Sequence, residues 1–362
     1  MSEPKILTTF DFSDATTFAE SMTIDDSDNY IVVGRSFPNN SYEPNSYPYF
    51  SAFAVKINNS GNIIWKKTYS NEYGRTFNSI TKLSDGSLIV LGSYSCSSLS
   101  SDQFTSLTRL DNDGNIVQDI LFGLKGVQSN GKCIAPTSDG GFVMALSYID
   151  NVSPSTTVTK FSSNITLEWS KTFNIDVADS IIQTSDGGYA LSGLTTWDES
   201  FNSNPFIVKL NIYGEIVWKK EYGKIKNYVP AKTSIIETKS KQFVVVASYV
   251  IFITNELGEL ISYASNVITD ESGNIISYVT GNSYSLCTVV EIDNTTICVA
   301  GSELFSSFDR AFGALVTIPS LEFTTTKSAN NYPSGISQLV LDKNNSLAAC
   351  GYVSNDGFLA IF

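Results

Sequence analysis

Apolar and polar residues alternate along this chain with a period of two, in short runs broken by Gly, Asn, Asp and Ser, and no stretch sustains the spacing of an amphipathic helix. One run shows the form most clearly. From Ile182 to Gly193 an apolar segment leads into Thr184-Ser185-Asp186-Gly187-Gly188, and a second apolar segment, Tyr189-Ala190-Leu191-Ser192, closes on Gly193. The pattern recurs around Thr137-Ser138-Asp139-Gly140-Gly141-Phe142 and Leu83-Ser84-Asp85-Gly86-Ser87-Leu88, and in looser copies at 22–34, 235–247, 289–301 and 339–351. The position after the turn reads Tyr30, Leu88, Phe142, Tyr189, Phe243, Ile297 and Leu347, seven copies at intervals of 47 to 58 residues.

A second signature follows each glycine after a loop of variable length. In the fourth unit it is Phe206-Ile207-Val208-Lys209-Leu210, then Gly214, then Trp218-Lys219-Lys220-Glu221-Tyr222. The first unit matches with Phe53-Ala54-Val55-Lys56-Ile57, Gly61 and Trp65-Lys66-Lys67-Thr68-Tyr69, and the third with Lys160 and Trp169. The second unit keeps Arg109 and Gly114 but has Gln118 at the tryptophan position, and the fifth loses both lysine and tryptophan. Each unit therefore predicts four strands, A to D, with Asp-Gly-Gly turning A into B and Asn-x-x-Gly turning C into D. A repeat of this length and content predicts an all-β, seven-bladed β-propeller of four-stranded antiparallel blades, one domain over residues 1–362. The chain ends on Gly357-Phe358-Leu359-Ala360-Ile361-Phe362, a C-strand pattern, while Ile6-Leu7-Thr8-Thr9-Phe10 matches a D strand. The N-terminal strand is thus expected to complete the last blade and close the ring.

Charge narrows the partners. The net charge is −13, which argues against nucleic acid, whose phosphates require a basic patch. Lys219-Lys220 with Lys224 and Lys226 is the densest basic cluster and reads as protection of an outer strand edge. The longest apolar run, Phe243 to Thr254, reads as two strands rather than a membrane span. Met1-Ser2-Glu3-Pro4 opens no secretory signal pattern, whereas the Ser-, Thr- and Asn-rich composition suits an extracellular, cell-surface or virion setting; a cytoplasmic one stays beside it. The five cysteines, Cys96, Cys133, Cys287, Cys298 and Cys350, read as unpaired thiols, most of them in inner strands.

The sequence contains no histidine, which removes the histidine-based nucleophile systems and nearly every catalytic zinc arrangement, and there is no Cys-x-x-Cys pair. No cofactor or metal is expected. Asp111-Asn112-Asp113-Gly114-Asn115 starts like a calcium loop, but Phe122 stands at its twelfth position, so it reads as a C–D turn. Asp25-Asp26-Ser27-Asp28-Asn29 likewise occupies a hairpin-turn slot, and Asp85, Asp139 and Asp186 read as turn caps.

The Thr-x-Asp-Gly-Gly-Tyr/Phe, Val-x-Lys-Leu and Gly-x-Ile-x-Trp elements resemble repeats of secreted bacterial and archaeal β-propellers. Gly61/Trp65 and Gly214/Trp218 are also similar to the tryptophan-docking motif of quinoprotein dehydrogenase propellers. The resemblance spans nearly the whole chain, is crisp in the first four blades, and implies the fold; the central cofactor constellation of quinoproteins is not identifiable. The Ser-Asp-Gly-Gly turn also resembles a sialidase Asp box, without its Ser-x-Asp-x-Gly-x-Thr-Trp spacing.

What varies between units is the B–C loop, and in a propeller these loops share one face. The first, Ser36 to Tyr49, carries Phe37, Tyr42, Tyr47 and Tyr49 just after Arg35; the second, Ser93 to Phe104, includes Tyr94; the fourth, Thr195 to Asn204, carries Trp197 and Phe201 beside Asp198 and Glu199; the sixth offers Phe305, Phe308 and Arg310. Aromatics amid Asn and Ser suit recognition surfaces. Tyr42, Tyr47, Tyr49, Tyr94, Trp197, Phe201, Arg35 and Arg310 are the binding-face candidates. The favoured expectation is a non-catalytic module that binds a protein or glycan, with assembly into a surface or virion structure as one setting. The alternative is a carboxylate-dependent glycan hydrolase or lyase at the channel mouth, with Arg35, Asp198 and Glu199 as first suspects.

Overall fold

The computed structural model describes residues 4–12, 15–38, 50–70, 72–97, 103–123, 127–149, 154–196, 202–223, 225–226, 232–248, 250–265, 267–269, 275–278, 283–304, 309–318, 320–328 and 334–362. Among them there is no helix, and seven four-stranded antiparallel sheets make the blades of a seven-bladed β-propeller. The A, B, C and D strands of blade 1 are Ala15–Ile24, Tyr30–Pro38, Ser51–Ile57 and Ile63–Tyr69; those of blade 2 are Arg75–Lys82, Leu88–Ser95, Gln103–Leu110 and Ile116–Phe122. Blade 3 runs from Gln128–Pro136 to Leu167–Phe173, blade 4 from Ala178–Gln183 to Ile216–Glu221, blade 5 from Thr233–Glu237 to Leu260–Ser265, and blade 6 from Ser283–Asp293 to Glu322–Ser328. Blade 7 is Ser334–Leu341, Leu347–Val353 and Asp356–Ile361, with Ile6–Phe10 as its fourth strand in register Ile6↔Ile361 to Phe10↔Gly357. The expected N-terminal closure is present. Two short two-stranded pieces that the repeat did not announce, Asn202–Ser203 with Ile225–Lys226 and Val267–Thr269 with Ile275–Tyr278, lie outside the blades. Packing separates two compact units, Asp176–Leu341 and Pro4–Ile175 with Asp342–Phe362.

The turns form as their residues require. Gly86, Gly140 and Gly187 take φ of +82°, +84° and +83° in the A–B turns, a conformation that costs glycine nothing. The looser copies use the same geometry without glycine: Asp28, Lys241 and Asn345 stand there with φ of +58°, +62° and +59°. The Asp side chains cap the turns as expected, Asp139 accepting the Gly141 N–H at 3.0 Å and Asp186 the Gly188 N–H at 2.9 Å. Each also does something the turn pattern did not reveal. The strand-C cation of the same blade reaches back to it: Lys56 to Asp25 at 2.8 Å, Arg109 to Asp85 at 2.5 Å, Lys160 to Asp139 at 2.9 Å and Lys209 to Asp186 at 2.8 Å. The Val-x-Lys-Leu and Asp-Gly-Gly elements are thus two halves of one intrablade ion pair.

Partial burial pushes the Asp139 and Asp186 carboxyls up, but the lysine ammonium, the threonine hydroxyl and the glycine N–H outweigh it and hold both at about 2. A folded-state pKa below the unfolded value gives stability that is complete above about pH 4 and is lost as pH falls towards 2. Lys160→Met and Lys209→Met are therefore expected to flatten the acid limb of a melting-temperature profile between pH 4 and pH 2. An acid limb unchanged in both variants would contradict the pairing.

Blade-to-blade contacts rest on strand D and on a bulge in strand A. Trp65 donates Nε1–H to the Asn112 carbonyl at 3.1 Å, and Tyr69 its hydroxyl to the Gly114 carbonyl at 2.6 Å, so one D strand grips the next blade's C–D turn. In blade 4 Tyr222 does the same to Gly258 of blade 5 at 2.9 Å, and a Cβ on Gly258 would stand 2.8 Å from Trp218. The bulge follows Ala19, Phe77, Gly131, Ala178 and Leu286. Hydroxyls just beyond it accept backbone N–H groups of the next blade: Ser21 from Ile80 at 3.2 Å, Ser79 from Ile134 at 3.3 Å, and Thr288 from Leu339 at 3.1 Å. The interblade cores they bracket are apolar, as with Ile31, Val33, Phe77, Ile80 and Val90 between blades 1 and 2.

No disulfide joins the five cysteines: Cys133, Cys298 and Cys350 are buried, Cys287 is half-buried, and Cys96 is exposed. Burial pushes the Cys298 thiol up to about 12, which leaves it inert as a nucleophile.

Candidate recognition face

Of the candidate residues, Arg35 and Tyr94 have described side chains. Tyr42, Tyr47, Tyr49, Trp197 and Phe201 lie outside the described residues, as do Asp198, Glu199, Phe305 and Phe308. Arg310 pairs with Glu303 in strand C of blade 6, and its side chain lies outside the description.

Arg35 stands near the end of strand B of blade 1, opposite Phe18 on one side and Ala52 on the other. Its guanidinium carbon lies 5.6 Å from the Phe18 ring centre and 5.3 Å from that of Phe50, distances at which a cation is attracted to a ring face. Nη2 reaches Glu20 Oε1 at 3.3 Å, with the arginine side chain 39% exposed and the glutamate 10%. The buried Arg35 Nε has no hydrogen-bond partner. Phe37 extends the platform: it stacks on Phe18 at 5.9 Å and 18°, and meets Phe50 edge-on at 5.6 Å and 87°. From blade 7, Tyr352 adds an edge contact to Phe18 at 5.4 Å, and the Asn355 carbonyl accepts the Thr17 N–H at 2.8 Å. Arg35 is thus surrounded by rings that are themselves only half-buried.

Phe50 links this cluster to the next blade, because its carbonyl accepts the Arg75 N–H at 2.7 Å. The buried Arg75 side chain donates to Thr108 Oγ1 at 2.6 Å and Asp119 Oδ1 at 2.7 Å, and lies over Phe77 and Tyr94 at 5.2 and 5.7 Å. Tyr94 therefore shares this edge of blades 1 and 2 with Arg35, resting on a guanidinium that ties three strands of blade 2. Sequence reasoning missed Phe18, Glu20, Phe50, Arg75 and Tyr352. Glu20 is the extra residue of the strand-A bulge, between Ala19 and Ser21, and so falls outside the two-residue alternation that would have aimed it. Asp25, Asp26 and Asp28, a cation-holding turn in appearance, bind ammonium groups: Lys56, Lys82 and Lys343 respectively.

Solved structures can now be set beside this one. The Dos1 propeller matches with a TM-score of 0.57 at 10% identity, over 99% of this chain and 94% of that one. Sqt1 from Chaetomium thermophilum, bound to the N-terminus of the ribosomal protein L10, matches with a TM-score of 0.54 at 11% identity over 99% and 100%. A catalytically inactive virginiamycin B lyase from Staphylococcus aureus, with a histidine replaced by alanine and quinupristin present, matches with a TM-score of 0.52 at 11% identity over 99% of both chains. These neighbours are β-propellers. At such identities the likeness shows the fold alone. No protein-family model and no curated protein sequence matches the chain.

Proposed function

We propose that this propeller is a non-catalytic recognition module that takes a protein partner on its B–C loop face, centred on Arg35. The carrying observation is the half-exposed guanidinium, with a buried and unpartnered Nε, held among Phe18, Phe37, Phe50 and Tyr352. Rigid rings and an arginine fixed by Glu20 offer contact area at little entropic cost, the composition of interface hot spots. The net charge of −13 favours a partner segment that carries Lys and Arg, since complementary charge raises the rate of encounter. Sqt1, seen with a ribosomal protein's N-terminus, is a propeller neighbour that holds a protein segment, and this supports the protein reading over the glycan one. A cell-surface or virion setting belongs to the same reading, supported by the Ser-, Thr- and Asn-rich composition. The lyase neighbour lends nothing to the enzyme alternative, because its inactive variant lacks a histidine and this chain contains none.

The test uses the immobilised protein and an Arg35→Gln/Phe37→Ala variant, with matched melting curves as the fold control. Captured proteins are identified by mass spectrometry and their affinities measured as purified species. A partner whose affinity falls about tenfold or more in the variant is the expected result, each tenfold being about 1.4 kcal/mol. Equal binding by both forms overturns the assignment of the face. Saturable binding on a glycan array, lost in the same variant, overturns the partner class and leaves the face.

A further inference from the structure

The A–B turns of blades 4 and 5 make the same contact with the blade that follows, and the turn of blade 2 lacks it. In blades 4 and 5 the second turn residue meets a strand-A glutamate of the next blade, Glu237 opposite Phe243 and Glu291 opposite Ile297. The Ser185 N–H donates to Glu237 Oε2 at 2.5 Å and its hydroxyl to Oε1 at 3.0 Å, so one carboxylate takes both donors of one serine. The Lys239 N–H donates to the Glu291 carboxylate at 3.2 and 3.3 Å. Between blades 1 and 2 the pair has inverted charge, Asp26 with Lys82. Between blades 2 and 3 the turn residue is Ser84, the same type as Ser185, but the strand-A position is Pro136. Pro136 carries no acceptor side chain, and the hydrogen bonds that hold Ser185 have no counterpart at Ser84.

A cavity of about 440 Å³ occupies this place, lined by Ser84, Lys82, Pro136, Thr137, Ser138 and Asp139 among others. It is within the size range of small-molecule sites, roughly 300–1,000 Å³. The two acids at its edge are already engaged: Asp139 by Lys160 at 2.9 Å and by the Thr137 hydroxyl at 2.5 Å, and Asp85 by Arg109. Gly140 packs beside Ser84, where a Cβ would stand 2.9 Å from Ser84 Oγ and crowd the hydroxyl. Lys82 also lines the cleft, with its ammonium held by Asp26 of blade 1.

We infer that the cleft between the A–B turns of blades 2 and 3 binds a small carboxylate, which takes the N–H and hydroxyl of Ser84 as Glu237 takes those of Ser185. The carboxylate that blades 4 and 5 receive from Glu237 and Glu291 of the blade that follows is here supplied from solution. Two oxygens meet two donors in a fork, the arrangement that makes charge-assisted pairs strong and directional. The site lies at the A–B end of the strands, the end opposite the B–C loops, so it stands or falls independently of the recognition face.

Glutarate and its uncharged diamide, glutaramide, are the probes, titrated into the full-length ¹⁵N-labelled protein while the backbone amide signals are followed. Glutarate is expected to move the Ser84 amide saturably and glutaramide to leave it in place. Ser84→Ala, an exposed and conservative change, is expected to weaken binding about tenfold, as loss of one charge-assisted bond does. Pro136→Glu installs the carboxylate from within and is expected to abolish glutarate binding while raising the melting temperature. Glu237→Ala opens the matching place at Ser185 and is expected to give that amide a glutarate response of its own. The inference is overturned by an unmoved Ser84 amide in the wild type at tens of millimolar glutarate, by an equal response to glutaramide, or by binding retained in Pro136→Glu.

Discussion

Gly92→Ala is expected to destabilise the protein by about 3 kcal/mol or more, at the upper end of the range for overpacking a closed interior. The reason lies on the opposite strand. Gly92 lies within strand B of blade 2 and pairs with Phe77, beside the strand-A bulge. A Cβ at Gly92 would stand 1.9 Å from the Thr76 carbonyl oxygen, 2.9 Å from its carbon and 3.1 Å from Phe77 Cα. All three are backbone atoms, so no side-chain rotation relieves the clash. Gly34 and Gly301 meet the same demand, at 2.0 Å from Phe18 O and 1.9 Å from Ser285 O. The control is Gly187→Ala in an A–B turn, where the new Cβ meets only Ile212 Cγ2 at 3.3 Å and the cost is the positive φ, about 1–2 kcal/mol. Urea midpoints at unchanged m-value measure both. Equal losses at the two positions would show that conformational freedom, rather than the bulge, is what the strand-B glycine supplies.

That glycine illustrates what was legible in the sequence. The alternation, the turn residues and the repeat interval located every blade, and the seven apolar positions from Tyr30 to Leu347 all fall at the first or second residue of a B strand. Local rules carry such features, because a turn or an alternating strand is decided by neighbouring residues. The strand-B glycine was visible as a recurring letter, but its cause, a bulge on another strand, was not. Likewise Lys209 and Asp186 stood in separate motifs 23 residues apart, and only strand register brings them to 2.8 Å. Of the proposed recognition face, the sequence named Arg35 and Tyr94 but not most of their neighbours. Tyr94 was read as part of the second B–C loop, whereas strand B of blade 2 runs on to Ser95 and pairs Tyr94 with Phe104. The rings about Arg35, those of Phe18, Phe50 and Tyr352, come from a strand A, a strand-C start and another blade, so no contiguous stretch announces them. Pro136 carries meaning only once register sets it where Glu237 stands in blade 5.

Removing the N-terminal strand is expected to cost more than any single substitution, because it takes the fourth strand from blade 7 and a packing face from blade 1 together. Phe10 is buried, meets Phe53 edge-on at 5.8 Å, and lies so close over Gly357 that a Cβ there would stand 2.3 Å from the ring. Thr8 donates its hydroxyl to the Gly61 carbonyl at 2.8 Å in the C–D turn of blade 1, as Trp65 and Tyr69 of blade 1 donate to the C–D turn of blade 2. Truncating one buried phenylalanine costs about 3–5 kcal/mol, and deletion of residues 1–10 adds five lost strand pairings to that. It also bares the edge of Asp356–Ile361, whose Leu359 and Phe358 are buried, and an uncovered apolar edge strand recruits other chains. The expected outcome is a steep fall in melting temperature with concentration-dependent association. A synthetic peptide spanning residues 5–12 should reverse both by pairing in trans, since main-chain hydrogen bonds and the Phe10 site are all it needs. A truncated protein that melts and sediments like the full chain would show that the strand merely covers the blade. Rescue by the peptide, lost when its Phe10 is replaced by alanine, would place closure in that ring and the register around it.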